Sequence, residues 1–170
     1  ANNYYEQVKH RGEIINLQGQ GNDRLLIHHK YSLFRTRSIG TIKTGIIEAT
    51  VGTGDLFAIP PEEVLFNGRG YAGTQHQFSC LMTEYGYFFV DALYGNVFLY
   101  TNELDLLVDG LRIFFRDRLP NTFTNATSDN PYGYDNPYYA NTNITVGFDR
   151  IYKRILLFIN SQSQGLYTLS

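Results

Sequence analysis

The residues that could do chemistry in this chain are few: His28, His29 and His76, the thiol of Cys80, and the carboxylates Glu62, Glu63, Glu84 and Asp91. A metal site needs such side chains at spacings that converge on one point. Neither His-Glu-x-x-His nor Cys-x-x-Cys occurs, and adjacent His28 and His29 on a strand point to opposite faces. His76, within GTQHQFS (73–79), suits a loop backbone better than a metal. A glycosidase needs two carboxylates about 5 to 10 Å apart across a cleft. Glu62-Glu63, or Glu84 with Asp91, are the available pairs, and the chain has no Trp to stack on a sugar. GTGDLF (52–57) and NGRGYAG (67–73) are glycine-rich but lack the ending of a phosphate loop, so both read as turns. Asp129 and Asp135 do not have the spacing of a calcium loop. Asn125 and Asn143 open Asn-x-Thr sequons, which in an Asn-rich chain read as chance. Cys80, the single cysteine, sits in the apolar run FSCLM and reads as a small buried hydrophobe. The expectation is therefore no catalytic constellation, no metal site and no cofactor.

The elements that position these residues are short. The 170-residue chain is 43% hydrophobic and 18% charged, a composition that folds. Its 14 Tyr, 12 Phe and 16 Gly favour strands and frequent turns. EIINL (13–17), RLLIHH (24–29) and YSLFR (31–35) read as strands, and TIKTGIIEAT (41–50) reads as one longer run interrupted by Gly45. Pro61-Glu62-Glu63 suits the start of a short helical turn. QFSCLMTE, GYFFVDAL, NVFLYT and LRIFFRD follow as a strand meander, with a short helix or turn expected from Asn102 to Asp109. The expected fold is mainly β: antiparallel meanders, propeller-like, with few short helices.

Charge and hydropathy exclude further classes. The net charge of -2 argues against a dedicated nucleic-acid binder. Residues 1–48 hold seven basic residues against four acidic, and residues 49–119 hold four against nine, an asymmetry that a solvated surface explains. No apolar run is long enough to span a bilayer, and ANNYYEQVKH does not resemble a signal peptide.

One pattern is written twice. VDALYGNVFLY (90–100) and FDRIYKRILLF (148–158) share apolar, Asp, any, apolar, Tyr, any two, apolar, apolar, Leu, aromatic at an offset of 58 residues. Asp91 and Asp149 are placed to accept backbone N–H groups and fix a turn, with Tyr94 and Tyr152 packing beside it. The strand after each turn reads as buried on both faces, as in stacked sheets. Between the copies, residues 120–143 hold six Asn, three Pro and four Tyr, a composition for an arm that packs on something. Tyr132, Tyr134, Tyr138 and Tyr139 are its candidate anchors on a neighbouring subunit. The organisation expected is a β-rich segment over 1–119 with the first blade-like hairpin, the arm over 120–143, and a second, truncated hairpin over 144–170.

Three stretches in order, RGEIINLQGQGNDRLLIHH (11–29), PPEEVLFNGRGYAGTQHQFSCLMTEYGYFFVDALYGNVFLY (60–100) and VGFDRIYKRILLF (146–158), resemble a tail protein of crAss-like bacteriophages, the stabilization or tail muzzle or nozzle protein. The resemblance implies a segment of a longer chain with propeller-like β domains. It also implies a homo-oligomeric ring with other tail proteins, around a channel through which genomic DNA passes. The implied place is the virion tail, assembled in the bacterial host cytoplasm. Function there is structural, without enzymatic turnover. The alternative is a carbohydrate- or receptor-binding β module at the tail tip, which an aromatic, acidic groove would favour.

Overall fold

The computed structural model describes residues 9–21, 24–36, 40–44, 47–51, 60–68, 72–107, 112–119, 143–160 and 165–169. The first strands, β1 (Ile14–Gln20), β2 (Arg24–His29) and β3 (Leu33–Arg35), form an antiparallel meander. The run 41–50 is not one strand: β4 (Gly40–Thr44) pairs with β5 (Ile47–Val51) as a hairpin, Thr44 opposite Ile47. Two β-prone halves separated by two residues satisfy each other's backbone groups more locally than one long edge can. Where the sequence suggests a helical turn, Glu62–Val64 forms β6, which pairs with β3 and completes a sheet of order β1-β2-β3-β6. Pro61 stands just before that strand, a position where its missing N–H breaks no ladder. Glu62 and Glu63 meet Arg35 and Arg11, at 3.4 and 2.8 Å.

The second sheet is the meander β7 (Cys80–Thr83), β8 (Gly86–Asp91), β9 (Asn96–Tyr100) and β10 (Leu104–Leu106). Here the sequence expectation is reversed. The strand lies within the stretch read as helix or turn, and the stretch read as the last strand is helix α1 (Arg112–Arg118). Burial explains the choice. Phe115 and Leu119, four residues apart, are both buried, and the Leu119 N–H donates to the Phe115 carbonyl at 2.8 Å. A strand would have put Ile113 on the same face as Phe115, yet Ile113 is 67% exposed. The third sheet takes β11 (Asn143–Asp149), β12 (Arg154–Asn160) and β13 (Gly165–Leu169).

Sheet two is the middle layer. Tyr87, Phe89, Phe98 and Tyr100 face Leu26, Leu33 and Val64 of the first sheet, forming one core. Phe88, Val90 and Val97 face Ile144, Val146, Ile155, Leu157 and Ile159 of the third sheet, with Phe115 and Leu119 of α1 completing the second core. Alternate residues of β8 and β9 thus serve different cores, which is why these strands read as unbroken apolar runs.

The repeat is two copies of one hairpin. Asp91 pairs with Asn96 and Asp149 with Arg154, so each loop has four residues and ends on a left-handed residue, Gly95 (φ 67) and Lys153 (φ 54). Val97 and Leu99 correspond to Ile155 and Leu157, and all four lie in the same core. The copies therefore meet through equivalent faces, as the halves of a sandwich do. Blades in a ring meet front to back. Among the described residues there is neither a closed barrel nor a propeller.

Gly95 is required by its neighbour more than by its φ, since Lys153 tolerates the same turn. A Cβ on Gly95 would lie 2.5 Å from the Arg116 Cα. Gly95→Ala is expected to lose about 2 kcal/mol or more by displacing α1, whereas Lys153→Ala at the equivalent position stays within about 1 kcal/mol of the parent. Denaturant midpoints of the two variants check this, and equal midpoints would contradict it.

Candidate functional site

Of the polar side chains singled out in the sequence, His28, His76, Cys80 and Asp91 meet at one strap, residues 72–79, which runs between the first two sheets and is buried except at Gln77 and Phe78. Glu62, Glu63 and Glu84 lie elsewhere. Ala72, Thr74, Gln75, His76 and Ser79 are all buried. Gly73 lets the strap lie against the β2–β3 turn, since a Cβ there would fall 2.2 Å from the Lys30 carbonyl oxygen. The Thr74 N–H donates to the His29 carbonyl at 3.1 Å, and the Thr74 hydroxyl to that of Val90 at 2.9 Å. Ser79 closes the strap's own turn, its N–H and its hydroxyl both reaching the His76 carbonyl, at 3.0 and 2.7 Å.

Gln75 is the centre of the strap. Its Nε2 donates to the Lys30 carbonyl (2.8 Å) and to Asp91 Oδ1 (3.1 Å). Its Oε1 accepts from the N–H groups of Ala92 (2.8 Å) and Leu93 (3.3 Å). Two donor hydrogens and two acceptor lone pairs are the full capacity of an amide, and all four are used. Sequence reading missed Gln75, because nothing in its neighbours marks a glutamine as buried.

Asp91 is buried beside it. Its Oδ1 also accepts from the Tyr94 N–H at 3.4 Å, across the turn. In the second hairpin Asp149 Oδ1 accepts from Ile151 and Tyr152 at 3.0 and 3.2 Å. Asp149, at the protein surface, is also bonded by Arg154 at 3.0 Å, which holds its carboxyl below the usual range. Burial drives Asp91 the other way, up to about 7. Tyr94 is half-exposed at its turn and Tyr152 lies under the Arg154 guanidinium, 4.6 Å from the ring centre.

The histidines are structural in geometry. His28 is wholly buried, with Nε2 2.9 Å from the Ala72 carbonyl and Nδ1 3.1 Å from the Tyr87 hydroxyl. A carbonyl only accepts, so Nε2 carries the proton and Tyr87 donates to Nδ1. The Tyr87 oxygen in turn accepts from Asn16 Nδ2 at 3.0 Å. Burial holds the imidazole neutral, its pKa lowered to about 3. His29, on the opposite face, reaches the Gly12 carbonyl at 2.9 Å. The partly buried Cys80 is 3.6 Å from the Thr74 hydroxyl, and burial raises its thiol, so the thiolate is disfavoured.

Glu84 and Asp91 do not flank a common cleft as a glycosidase pair must, and Glu62 and Glu63 are tied to Arg35 and Arg11. Glu84 is an exposed residue of the β7–β8 turn and Asp91 is buried at the far end of β8, roughly 17 Å away at strand rise. Among the described residues no group of three or more His, Cys, Asp or Glu could hold a metal ion, and no helix is long and apolar enough to cross a membrane. Tyr132, Tyr134, Tyr138 and Tyr139 lie outside the described residues.

Described residues line two surface clefts. One, of about 400 Å³, lies between the edge strands β6 and β10 and is lined in part by Arg35, Glu62, Glu63, Asn102 and Glu103. The other, of about 430 Å³, lies between β7 and β11. The outer face of the third sheet exposes Phe158 (44%), which corresponds to the fully buried Tyr100 of the first hairpin. The tip of the second hairpin exposes Ile151 (85%) beside Tyr152. No protein-family model matches the chain, and no curated protein matches it.

His28 and Asp91 make opposite contributions to acid stability. His28 stays neutral when folded, so its contribution is full above 6.5 and is lost as pH falls towards 3. Asp91 stays protonated when folded, so its contribution is full below 3.8 and is lost as pH rises towards 7. Between those limits each has a slope of about 1.4 kcal/mol per pH unit, of opposite sign. Asp91→Asn removes one slope. The stability of the variant relative to the parent should rise by about 1.4 kcal/mol per pH unit from pH 4 to 6.5, read from urea unfolding. A constant difference would mean that Asp91 is ionised in the fold.

Proposed function

We propose that this chain is a structural component of a bacteriophage tail, part of a stabilization or muzzle/nozzle ring around the genome-ejection channel, acting by subunit packing. One observation carries the reading. The polar groups suited to chemistry, His28, His29, Asp91 and Gln75, are buried and bonded inside. The surface instead offers apolar contact area, Phe158 on the third sheet and Ile151-Tyr152 at the hairpin tip. The resemblance of residues 11–29, 60–100 and 146–158 to crAss-like phage tail proteins supports the same reading and supplies its setting in the virion. Partners on this reading are copies of the chain and other tail proteins, with DNA in transit.

A second reading, a carbohydrate- or receptor-binding module at the tail tip, draws on the acidic cleft with Glu62, Glu63 and Glu103. Among the described residues no aromatic side chain lines that cleft, and sugar stacking would need one.

Native mass spectrometry of the purified species separates the two. Symmetric multiples of 19.5 kDa are expected for a ring component, whereas a monomer throughout favours the binding module. If Tyr132, Tyr134, Tyr138 and Tyr139 anchor a neighbour, replacing all four by Ser lowers the assembled fraction and leaves the unfolding midpoint in place. An unchanged assembled fraction would remove these tyrosines from the interface.

A further inference from the structure

The groove between β7 and β11 is bounded by two sheet edges. Among the described residues β7 pairs only with β8, and β11 only with β12. Every second residue of each therefore turns its N–H and C=O away from its own sheet. The two strands lie close, yet no backbone hydrogen bond joins them among the described residues. Exposed edges of this kind are usually blunted by Lys, Pro or brevity. β7 has four residues, but β11 has seven, NITVGFD, with no Pro and no charge before Asp149. Asp149 is already engaged by its turn and by Arg154.

The groove has two chemical halves. Leu81, Met82 and Phe148 give it an apolar wall, and its volume of about 430 Å³ is that of a small-ligand site. At the mouth, Lys153 is bonded to Glu84, which neutralises both. The ammonium also lies 5.8 and 6.0 Å from the ring centres of Tyr85 and Phe148, so it is held in place. Arg150 lines the same mouth, exposed, and its charge also acts on Glu84. The local balance is one positive charge, on a chain whose net charge is -2.

We propose that this groove takes an extended peptide segment of another protein. The segment adds as a strand along the β11 edge, presents an apolar side chain to Leu81, Met82 and Phe148, and presents a carboxylate to Arg150. Backbone pairing supplies the ladder bonds that β11 leaves unmade, and the wall and the charge select the sequence. The site is independent of whether the chain belongs to a tail.

The test uses two capped pentapeptides, acetyl-TVDVT-amide and acetyl-TVKVT-amide, titrated into the ¹⁵N-labelled full chain. The aspartate peptide should cause saturable shifts at the amides of Met82, Gly147 and Phe148, and bind about tenfold tighter than the lysine peptide. Arg150→Glu, at an exposed turn position, should reverse that preference while leaving the rest of the spectrum in place. Methylating the peptide's backbone nitrogens at alternate residues should abolish binding in one of the two registers. Equal binding of both peptides, no saturable shift along β11, or full tolerance of methylation in both registers would each overturn the proposal.

Discussion

The structure depends on one amide. Gln75 joins the β2–β3 turn, the carboxyl of Asp91 and the backbone that follows β8, with no bonding capacity left over. Two sheets whose facing surfaces are aromatic and aliphatic would otherwise be free to slide, because apolar contact is not directional. The strap fixes their register by directional bonds made in a place that water does not reach. Each bond contributes modestly when made, but a buried group left without its partner costs about 1–3 kcal/mol. The strap therefore acts more through what any other arrangement would leave unsatisfied than through its own strength. Thr74 and Ser79, whose hydroxyls lie 2.8 Å apart, extend the same logic along it.

Much of the fold was legible in the sequence, for a physical reason. Strands that serve two cores are apolar at every position, and GYFFVD and NVFLY announce this directly. The repeated Asp and Tyr positions mark hairpins because a short acceptor before a tight loop has few other uses. What the sequence did not reveal were choices settled by distant partners. LRIFFRD has a strand-like composition, and only the core waiting for Phe115 and Leu119 makes it a helix. Glu62-Glu63 looks like a helix start until Arg11 and Arg35 arrive from other strands. The buried strap was invisible for the same reason, since its partners at Lys30, Val90 and Ala92 are remote in sequence.

The repeat also shows how two copies of one hairpin can come to differ. Their shared face, Val97 and Leu99 against Ile155 and Leu157, is constrained by a common core. Their other faces have different neighbours. Phe98 and Tyr100 lie under the first sheet, where the Tyr100 hydroxyl meets Arg35 at 3.0 Å, and the position has kept an oxygen. Its counterpart Phe158 is 44% exposed and carries none. The same division appears at the turns, where the helix beside the first loop demands a glycine and the open second loop accepts a lysine.

The chain of bonds from Asn16 through Tyr87 and His28 to Ala72 runs in a single sense, each member donating to the next. Such a chain has a polarity, like a row of arrows, and its direction is set at both ends by groups that cannot change roles: an amide N–H₂ at the rim and a carbonyl in the interior. An acceptor-only side chain at position 16 would turn the first arrow round. The tyrosine hydroxyl would then point outward, the imidazole would lose its donor, and its preferred tautomer would be contested right up to the strap. A residue at the edge of the first sheet thus specifies which atom holds a proton at the centre of the molecule.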